Sequence, residues 1–132
     1  MAHGVFEHLV NEQGLDWQID SAGTSDWHRG QAPDKRTIKI TQKHGIDISQ
    51  QRAQQFTVEL FDQYDLILAM DKKNLADILT LARNDQDRKK VRMYLDNKED
   101  VLDPYFDDAH FAPVFDVVYQ RALDLIEELK SQ

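Results

Sequence analysis

The residues with the clearest chemical potential are Asp103-Pro104-Tyr105-Phe106, in the last third of the chain. The proline ring disfavours helical backbone at the preceding residue, so Asp103 is expected on a loop. A carboxyl group held on a rigid loop can act as a general acid, and the two aromatic side chains after it could form a wall of a slot for a flat ring. The alternatives are an ordinary turn for Asp103 and core packing for the aromatic pair.

A second candidate for binding is Trp27, which lies in a segment rich in serine, aspartate, histidine and glycine. Exposed aromatic side chains on loops favour a binding role, whereas the alternative is a loop that its largest side chain anchors. His28, beside it, could hydrogen-bond a ligand or could simply be solvated.

Composition excludes several classes of function. The 132 residues predict one domain with a substantial core. With 16 lysines and arginines against 24 acidic residues the net charge is -8, which weighs against nucleic-acid and anionic-membrane partners. No apolar run is long enough to span a bilayer, and the start of the chain lacks the pattern of a signal peptide, so we expect a cytoplasmic protein.

Cysteine and histidine usage restricts the possible sites. The chain has no cysteine, which excludes disulfides, thiolate metal sites and thiol catalysis by these residues. Its five histidines lack metal-ligand spacing, and the acidic stretches lack the spacing of a calcium loop. We therefore expect neither a metal nor a cofactor.

Hydrophobic patterning predicts helices that alternate with strands. Helices are expected at residues 1–13, 33–44, a short segment after Thr57, 72–82 and 110–130, and strands at 17–21, 64–70 and 91–95. The run at 64–70 is almost wholly apolar, which is typical of a strand covered on both faces of a parallel sheet. The order predicts an α/β fold, a parallel sheet with helices on both faces.

Three polar residues fall near the carboxyl ends of the predicted strands, where ligands bind in such folds. They are Ser21, Asp71 and, by the approach of its loop, Asp103. This convergence indicates a functional site at that edge of the sheet.

An ordered set of motifs then resembles the low-molecular-weight protein-tyrosine phosphatases across nearly all of the chain. The motifs are Ser21-Ala22-Gly23-Thr24-Ser25-Asp26-Trp27-His28, Pro33-Asp34, His44-Gly45-Ile46, Tyr64-Asp65-Leu66-Ile67-Leu68-Ala69-Met70-Asp71, Asn74-Leu75 and Asp103-Pro104-Tyr105. The start, Met1-Ala2-His3-Gly4-Val5-Phe6, resembles that family's first helix. The family's first strand and its Cys-x5-Arg-Ser phosphate-binding loop would precede Met1, and this missing piece would be roughly 12–15 residues long. We therefore expect 1–132 to be one N-terminally incomplete domain with three strands remaining.

The resemblance also implies residue roles. Asp103 is similar to the general acid that protonates the leaving phenolate and then activates water. Trp27, Tyr105 and Phe106 correspond to the walls of the phosphotyrosine slot, and Ser21 to a residue that braces the phosphate-binding loop. The implied substrate is a phosphotyrosine protein or an aryl phosphate.

Two features depart from the family pattern. Gln54 stands where an arginine is usual, and the cysteine nucleophile is absent, so the chain as given is expected to be inactive. Loss of the central first strand would uncover strand edges; neighbouring strands could close up, another chain could cover the gap by homo-oligomerisation, or the chain could be marginally folded. The alternative functions are a non-catalytic phosphatase-like binding or self-associating protein and an arsenate reductase, whose chemistry needs several cysteines.

Overall fold

The computed structural model of the chain describes residues 1–24, 30–104 and 107–131. In chain order the elements are α1 Ala2–Glu12, α2 Lys35–Lys43, α3 Leu60–Gln63, β1 Ile67–Ala69, α4 Lys72–Leu81, α5 Asp85–Lys89, β2 Val91–Met93, a 3-10 helix Asp108–His110 and α6 Phe111–Lys130. They fall into two compact units. The helical unit is Met1–Ser21, Gln31–Arg52 and Leu102–Gln132, and the sheet unit is Ala22–Gly30 and Ala53–Val101.

The helical unit is built on α6, which α1 and α2 both contact. The apolar stripes that the sequence predicts on the first and last helices are buried in this unit. Those of α1 are Val5, Phe6, Leu9 and Val10, and those of α6 are Phe111, Val114, Phe115, Val118, Ala122, Leu125 and Ile126. This burial fixes the position of α1, whose first turn carries part of the candidate site.

The C-terminus of α1 is followed by Gly14, which has a φ of 68°. The N–H of Gly14 donates to the carbonyl of Asn11 at 3.1 Å, and the N–H of Leu15 donates to that of Val10 at 3.0 Å. This pair of bonds is the Schellman motif, which satisfies the last free carbonyls of the helix.

Close packing of α1 requires a glycine at position 4. A Cβ added there would overlap Cγ2 of Ile48, a buried side chain of the same unit. We expect Gly4→Ala to lower the free energy of unfolding by about 1–3 kcal/mol, because overpacking displaces neighbouring groups. Urea denaturation measures the change. Asn11→Ala, at an exposed position of the same helix, is the matched control, and equal stability of the two variants would contradict the prediction.

In the sheet unit, β1 and β2 pair in parallel, with Ile67 opposite Val91 and Ala69 opposite Met93. Helix α4 connects them and contacts both strands. The core of this unit comprises Phe56, Phe61, Ala69, Ile78 and Met93. The predicted α/β class with a parallel sheet is thus confirmed.

Several predicted boundaries are corrected. Both strands are three residues long. β1 ends at Ala69, and Asp71, two residues later, already caps α4. In the described part of the chain, residues 17–21 form no strand, and the sheet has two strands rather than three. The nearest pairing is an isolated parallel bridge between Gly23 and Gln55. A strand needs a hydrogen-bonded neighbour, and an alternating sequence does not say where that neighbour lies.

A short helix, α5, occupies residues for which the sequence predicts neither a helix nor a strand. The Asn84 carboxamide caps it by accepting the N–H of Asp87 at 2.9 Å. The Arg83 guanidinium donates to Asp87 at 2.8 Å and to Asp62 on α3 at 2.7 Å. Capping and ion pairing therefore outweigh the weak hydrophobic pattern of this segment.

The Arg83 cluster gives a pH-dependent prediction. Hydrogen bonds from Arg83 hold the pKa values of Asp62 and Asp87 below the ordinary aspartate value. A carboxyl whose pKa falls on folding stabilises the protein above its unfolded-state pKa, and that contribution is lost as the pH falls through the folded-state pKa. We expect Arg83→Gln to lower the urea midpoint at pH 7 and to narrow the difference between the midpoints at pH 7 and at about pH 3.

Arg88→Gln is the matched control for this test. Arg88 pairs at 3.0 Å with Asp85, whose side chain is 84% exposed, and exposed pairs contribute little to stability. Equal midpoint shifts in the Arg83 and Arg88 variants would show that the pH dependence of stability does not come from the hydrogen bonds of Arg83.

Candidate active site

Asp103 lies in the helical unit, where it is exposed and outside regular secondary structure, as the sequence predicts. Beyond it, the N–H of Asp107 donates to the carbonyl of Pro104 at 3.1 Å and closes a turn. Tyr105 and Phe106 lie between those two residues and outside the described part of the chain. Asp103 therefore lies directly before a closed turn.

The 3-10 helix that follows is capped at its start. The Asp107 carboxylate accepts the N–H of Ala109 at 2.9 Å, and the N–H of His110 donates to the Asp107 carbonyl at 3.0 Å. These two bonds restrict the backbone of residues 107–110, which follow Asp103 in the chain.

Arg36 anchors the same segment from α2. Its Nη1 donates to the Asp108 carboxylate at 2.6 Å, and its guanidinium lies 4.8 Å from the centre of the Phe111 ring. Arg36 is itself held by Asp34, which accepts from Nε at 3.1 Å and from Nη2 at 2.9 Å. Arg36 thus links the segment after Asp103 to α2 by one charged hydrogen bond to Asp108 and by its contact with the Phe111 ring.

Asp34 has a second role as the N-cap of α2. Its carboxylate accepts the Arg36 N–H at 2.8 Å. Hydrogen bonds from the Arg36 side chain and then from its backbone lower the pKa of Asp34, and the bonds to Asp34 and Asp108 raise that of Arg36. The sequence predicts a helix start at residue 33 but gives Arg36 no role; the Asp34-x-Arg36 spacing could have indicated its pair with Asp34 but not its contact with Asp108.

Ser21 lies beside the first turn of α1. Its Oγ is 2.8 Å from Nδ1 of His3, and its N–H donates to the Asp20 carboxylate at 2.9 Å. The other ring nitrogen of His3, Nε2, is 3.4 Å from the Glu7 carboxylate. The structure therefore brings Ser21 to the helix start that the resemblance places next to the phosphate-binding loop. His3 and Glu7 have no predicted role, although they stand one helical turn apart.

Asp71 ends the apolar run and serves as the N-cap of α4, where it accepts the Asn74 N–H at 2.6 Å. The Asn74 carboxamide in turn donates to the hydroxyl of Thr24 at 3.2 Å. Trp27 lies outside the described residues, but Thr24 is the last described residue before it. Asp71 and Asn74 thus hold the start of the segment that contains Trp27.

The two glycines that flank the Trp27 segment are tied to one stretch of the sheet unit. The N–H of Gly23 donates to the Gln54 carbonyl at 2.8 Å, and that of Gly30 to the Ala53 carbonyl at 2.6 Å. Gln54, the departure from the family pattern, thus contributes a backbone acceptor here.

Over residues 1–24, 30–104 and 107–131, no group of three or more histidine or acidic side chains is arranged to hold a metal ion. No helix formed by that part of the chain combines the length and apolar character that crossing a membrane requires.

Comparison with known proteins decides the family. The family described as "Low molecular weight phosphotyrosine protein phosphatase" matches residues 1–132. The chain belongs to this family. Among curated low-molecular-weight phosphatases, that of Dictyostelium discoideum is 34% identical over 99% of this chain and 86% of its own length. That of Sus scrofa is 32% identical over 98% of this chain and 87% of its own length.

Solved phosphatase structures share the fold. A protein tyrosine phosphatase from Entamoeba histolytica matches with a TM-score of 0.89 and 26% identity, over 98% of this chain and 87% of the other. YfkJ from Bacillus subtilis matches with a TM-score of 0.85 and 27% identity, over 98% of this chain and 85% of the other. The resemblance drawn from the motifs is therefore confirmed at the level of family and fold.

Proposed function

We propose that this phosphatase-family chain carries the acid and substrate-wall half of a phosphotyrosine-protein phosphatase site. The reaction is hydrolysis of a phosphate monoester through a cysteinyl-phosphate. Asp103 is the general acid, and the observation that carries this proposal is its placement before a turn that Arg36 anchors on the far side. The family match over residues 1–132 supports the reaction class.

The chemistry proceeds in two steps. In the first, a cysteine thiolate attacks phosphorus and the P–O bond to the phenol breaks, while the Asp103 carboxyl gives its proton to the departing oxygen. In the second, the Asp103 carboxylate removes a proton from water as that water attacks the cysteinyl-phosphate, which releases phosphate and restores the thiolate. One carboxyl group thus serves as acid and then as base.

Trp27, Tyr105 and Phe106 are proposed as the walls that hold the phenyl ring, and Ser21 as a brace of the phosphate-binding loop. The hydrogen bond from the Asn74 carboxamide to the Thr24 hydroxyl supports a fixed position for Thr24, the last described residue before Trp27. The substrate is a phosphotyrosine protein, with small aryl phosphates as substitutes in the assay.

The 132 residues contain no cysteine, so by themselves they are proposed to be inactive. In a serine protease, removal of the covalent nucleophile lowers kcat by on the order of 10⁶-fold. That the 132 residues form one domain and that the protein is cytoplasmic stay predictions.

The test compares two proteins. One is the 132-residue chain, and the other, the extended chain, is the same sequence preceded by the family's first strand and Cys-x5-Arg-Ser loop. We expect hydrolysis of p-nitrophenyl phosphate by the extended chain only, and its loss when the added cysteine is replaced by serine. An extended chain that folds but does not hydrolyse the substrate would refute the proposal. If the 132-residue chain hydrolysed the substrate and Asp103→Ala abolished that activity, the proposed inactivity of the 132-residue chain would be refuted.

The absence of cysteine also favours a second candidate, a non-catalytic phosphatase-like protein that binds phosphotyrosine or associates with itself. Calorimetric titration of the 132-residue chain with a phosphotyrosine peptide tests binding, with the unphosphorylated peptide as control. Sedimentation over a wide concentration range tests self-association, and a monomer throughout would exclude the proposed homo-oligomer.

A further inference from the structure

Shortly before Asp103, the chain is bonded to the junction between β1 and α4. The N–H of Val101 donates to the Met70 carbonyl at 2.7 Å. The Asp100 carboxylate accepts the backbone N–H of Lys72 at 2.8 Å. These four bonded residues belong to the sheet unit, which ends at Val101. Two consecutive residues therefore hold the end of this unit at the start of α4.

Asp100 completes the N-terminal cap of α4. The first N–H groups of a helix have no partner within the helix. In α4 the Asp71 side chain accepts the third of these groups, from Asn74, at 2.6 Å, and Asp100 accepts the first, from Lys72. The charge of Asp100 also lies at the positive end of the helix dipole. The helix start therefore favours a carboxylate at this place, although Asp100 is exposed.

A turn after β2 defines the path of the chain back to Asp100. The N–H of Lys98 donates to the Leu95 carbonyl at 3.1 Å, and the Asn97 side chain accepts the N–H of Glu99 at 2.9 Å. Lys98 has a φ of 63°, in the left-handed region. That conformation is uncommon for a residue other than glycine, and it persists where the surrounding contacts determine it. The path from β2 to Asp100 is thus set by specific contacts.

We propose that Asp100 is a positioning residue for Asp103, because its hydrogen bond at the start of α4 fixes the chain three residues before the proposed general acid. Asp103 is exposed and outside regular secondary structure, so the flanking backbone contributes to where its carboxyl group lies. On the other flank, Arg36 binds the Asp108 carboxylate at 2.6 Å. A general acid must stay within hydrogen-bond reach of the leaving oxygen. Loss of the Asp100 anchor should therefore misplace the acid for part of the time.

This inference rests on the proposed function, because it concerns the proposed acid, but the anchor itself can be measured in the 132-residue chain. Amide hydrogen exchange followed by NMR is the measurement. We expect Asp100→Ala to speed exchange at Lys72, which loses its acceptor, and at Val101, whose segment is released. Asp100→Asn should restore slow exchange at both, because its amide oxygen still accepts.

Glu99→Ala is the matched control. It removes a carboxylate from the adjacent residue, whose side chain is 66% exposed and lies 3.7 Å from the Lys72 ammonium group. Its backbone N–H, which donates to Asn97, is kept. We expect this variant to leave exchange at Lys72 and Val101 unchanged.

Kinetics of the extended chain test the positioning role. We expect Asp100→Ala to lower kcat by about 10-fold, within the factor of about 10² that a misplacement of about 1 Å can cost. The loss should be larger for phenyl phosphate than for p-nitrophenyl phosphate, because the more basic leaving group depends more on the acid. In the Asp103→Asn background the same substitution should cause no further loss, since no acid remains to be positioned. Asp100→Asn and Glu99→Ala should keep kcat.

Three results would overturn the inference. Unchanged exchange at Val101 in Asp100→Ala would show that Asp100 does not hold the segment. A kcat that stays the same or falls equally for both substrates would show that Asp100 only caps α4, and so would a further loss in the Asp103→Asn background. These failures need an active unmodified extended chain. An unmodified extended chain that folds without activity would instead refute the proposed function, and the role of Asp100 with it.

Discussion

Replacing Asp103 with asparagine in the extended chain is expected to lower kcat for aryl-phosphate hydrolysis by roughly 10²–10⁴-fold, the usual contribution of general acid–base catalysis. The reason is that the amide cannot give a proton to the leaving phenolate. The loss should grow from p-nitrophenyl phosphate to phenyl phosphate, because phenolate is the more basic leaving group and depends more on protonation. Steady-state kinetics with both substrates measure the difference.

Asp116→Asn is the matched control for that prediction. It makes the same change of charge at an exposed position on α6, in the same unit as Asp103. We expect its kcat to equal that of the unmodified extended chain. Equal effects of the two substitutions, or an Asp103 effect that does not depend on the leaving group, would show that Asp103 is not the acid.

Replacing Phe115 with alanine is expected to lower the free energy of unfolding by about 3–5 kcal/mol, the range for deleting a buried aromatic side chain. Phe115 is 2% exposed. Its ring stacks on His44 at a centroid distance of 4.1 Å and on Tyr119 at 5.8 Å. The cavity left on α6 would remove packing from the contact with α2, so urea denaturation should show a lower midpoint.

Val117→Ala, two residues further along α6, is the control. It also introduces an alanine into the helix, but it removes an exposed side chain instead of a buried one. Val117 is 48% exposed, and surface substitutions of this kind change stability by no more than about 0.5 kcal/mol. A loss below about 1 kcal/mol for Phe115→Ala, or similar losses for both variants, would mean that the α6 core is not packed as the structure shows.

The long amphipathic helices were predictable because their apolar residues repeat with a clear period. The first and last helices appear close to where the spacing places them. The short helix α5 was not predictable in this way. The helix α5 depends on the Asn84 cap and on Arg83, contacts that carry no hydrophobic period.

The residues of the candidate site also fall into two groups, those that local sequence marks and those that tertiary packing brings together. Asp103 could be singled out from the sequence because a proline after an aspartate constrains local backbone, and local constraints are encoded within a few residues. The partners that act on the site come from distant positions. Arg36 reaches Asp108 from 72 residues away, and His3 reaches Ser21 from 18 residues away. Such contacts form only when helices pack, so no local pattern marks them.

By itself the sequence determined the family, the α/β class, the loop position of Asp103 and the absence of cysteine from these residues. These depend on residue identity and short-range spacing, which a sequence states directly. Tertiary structure alone decided that residues 17–21 form no strand within the described chain. It also decided that Arg36 anchors the segment after Asp103 and that Ser21 faces His3. The physical reason is that strand pairing and side-chain hydrogen bonds depend on which distant segments the buried core brings together.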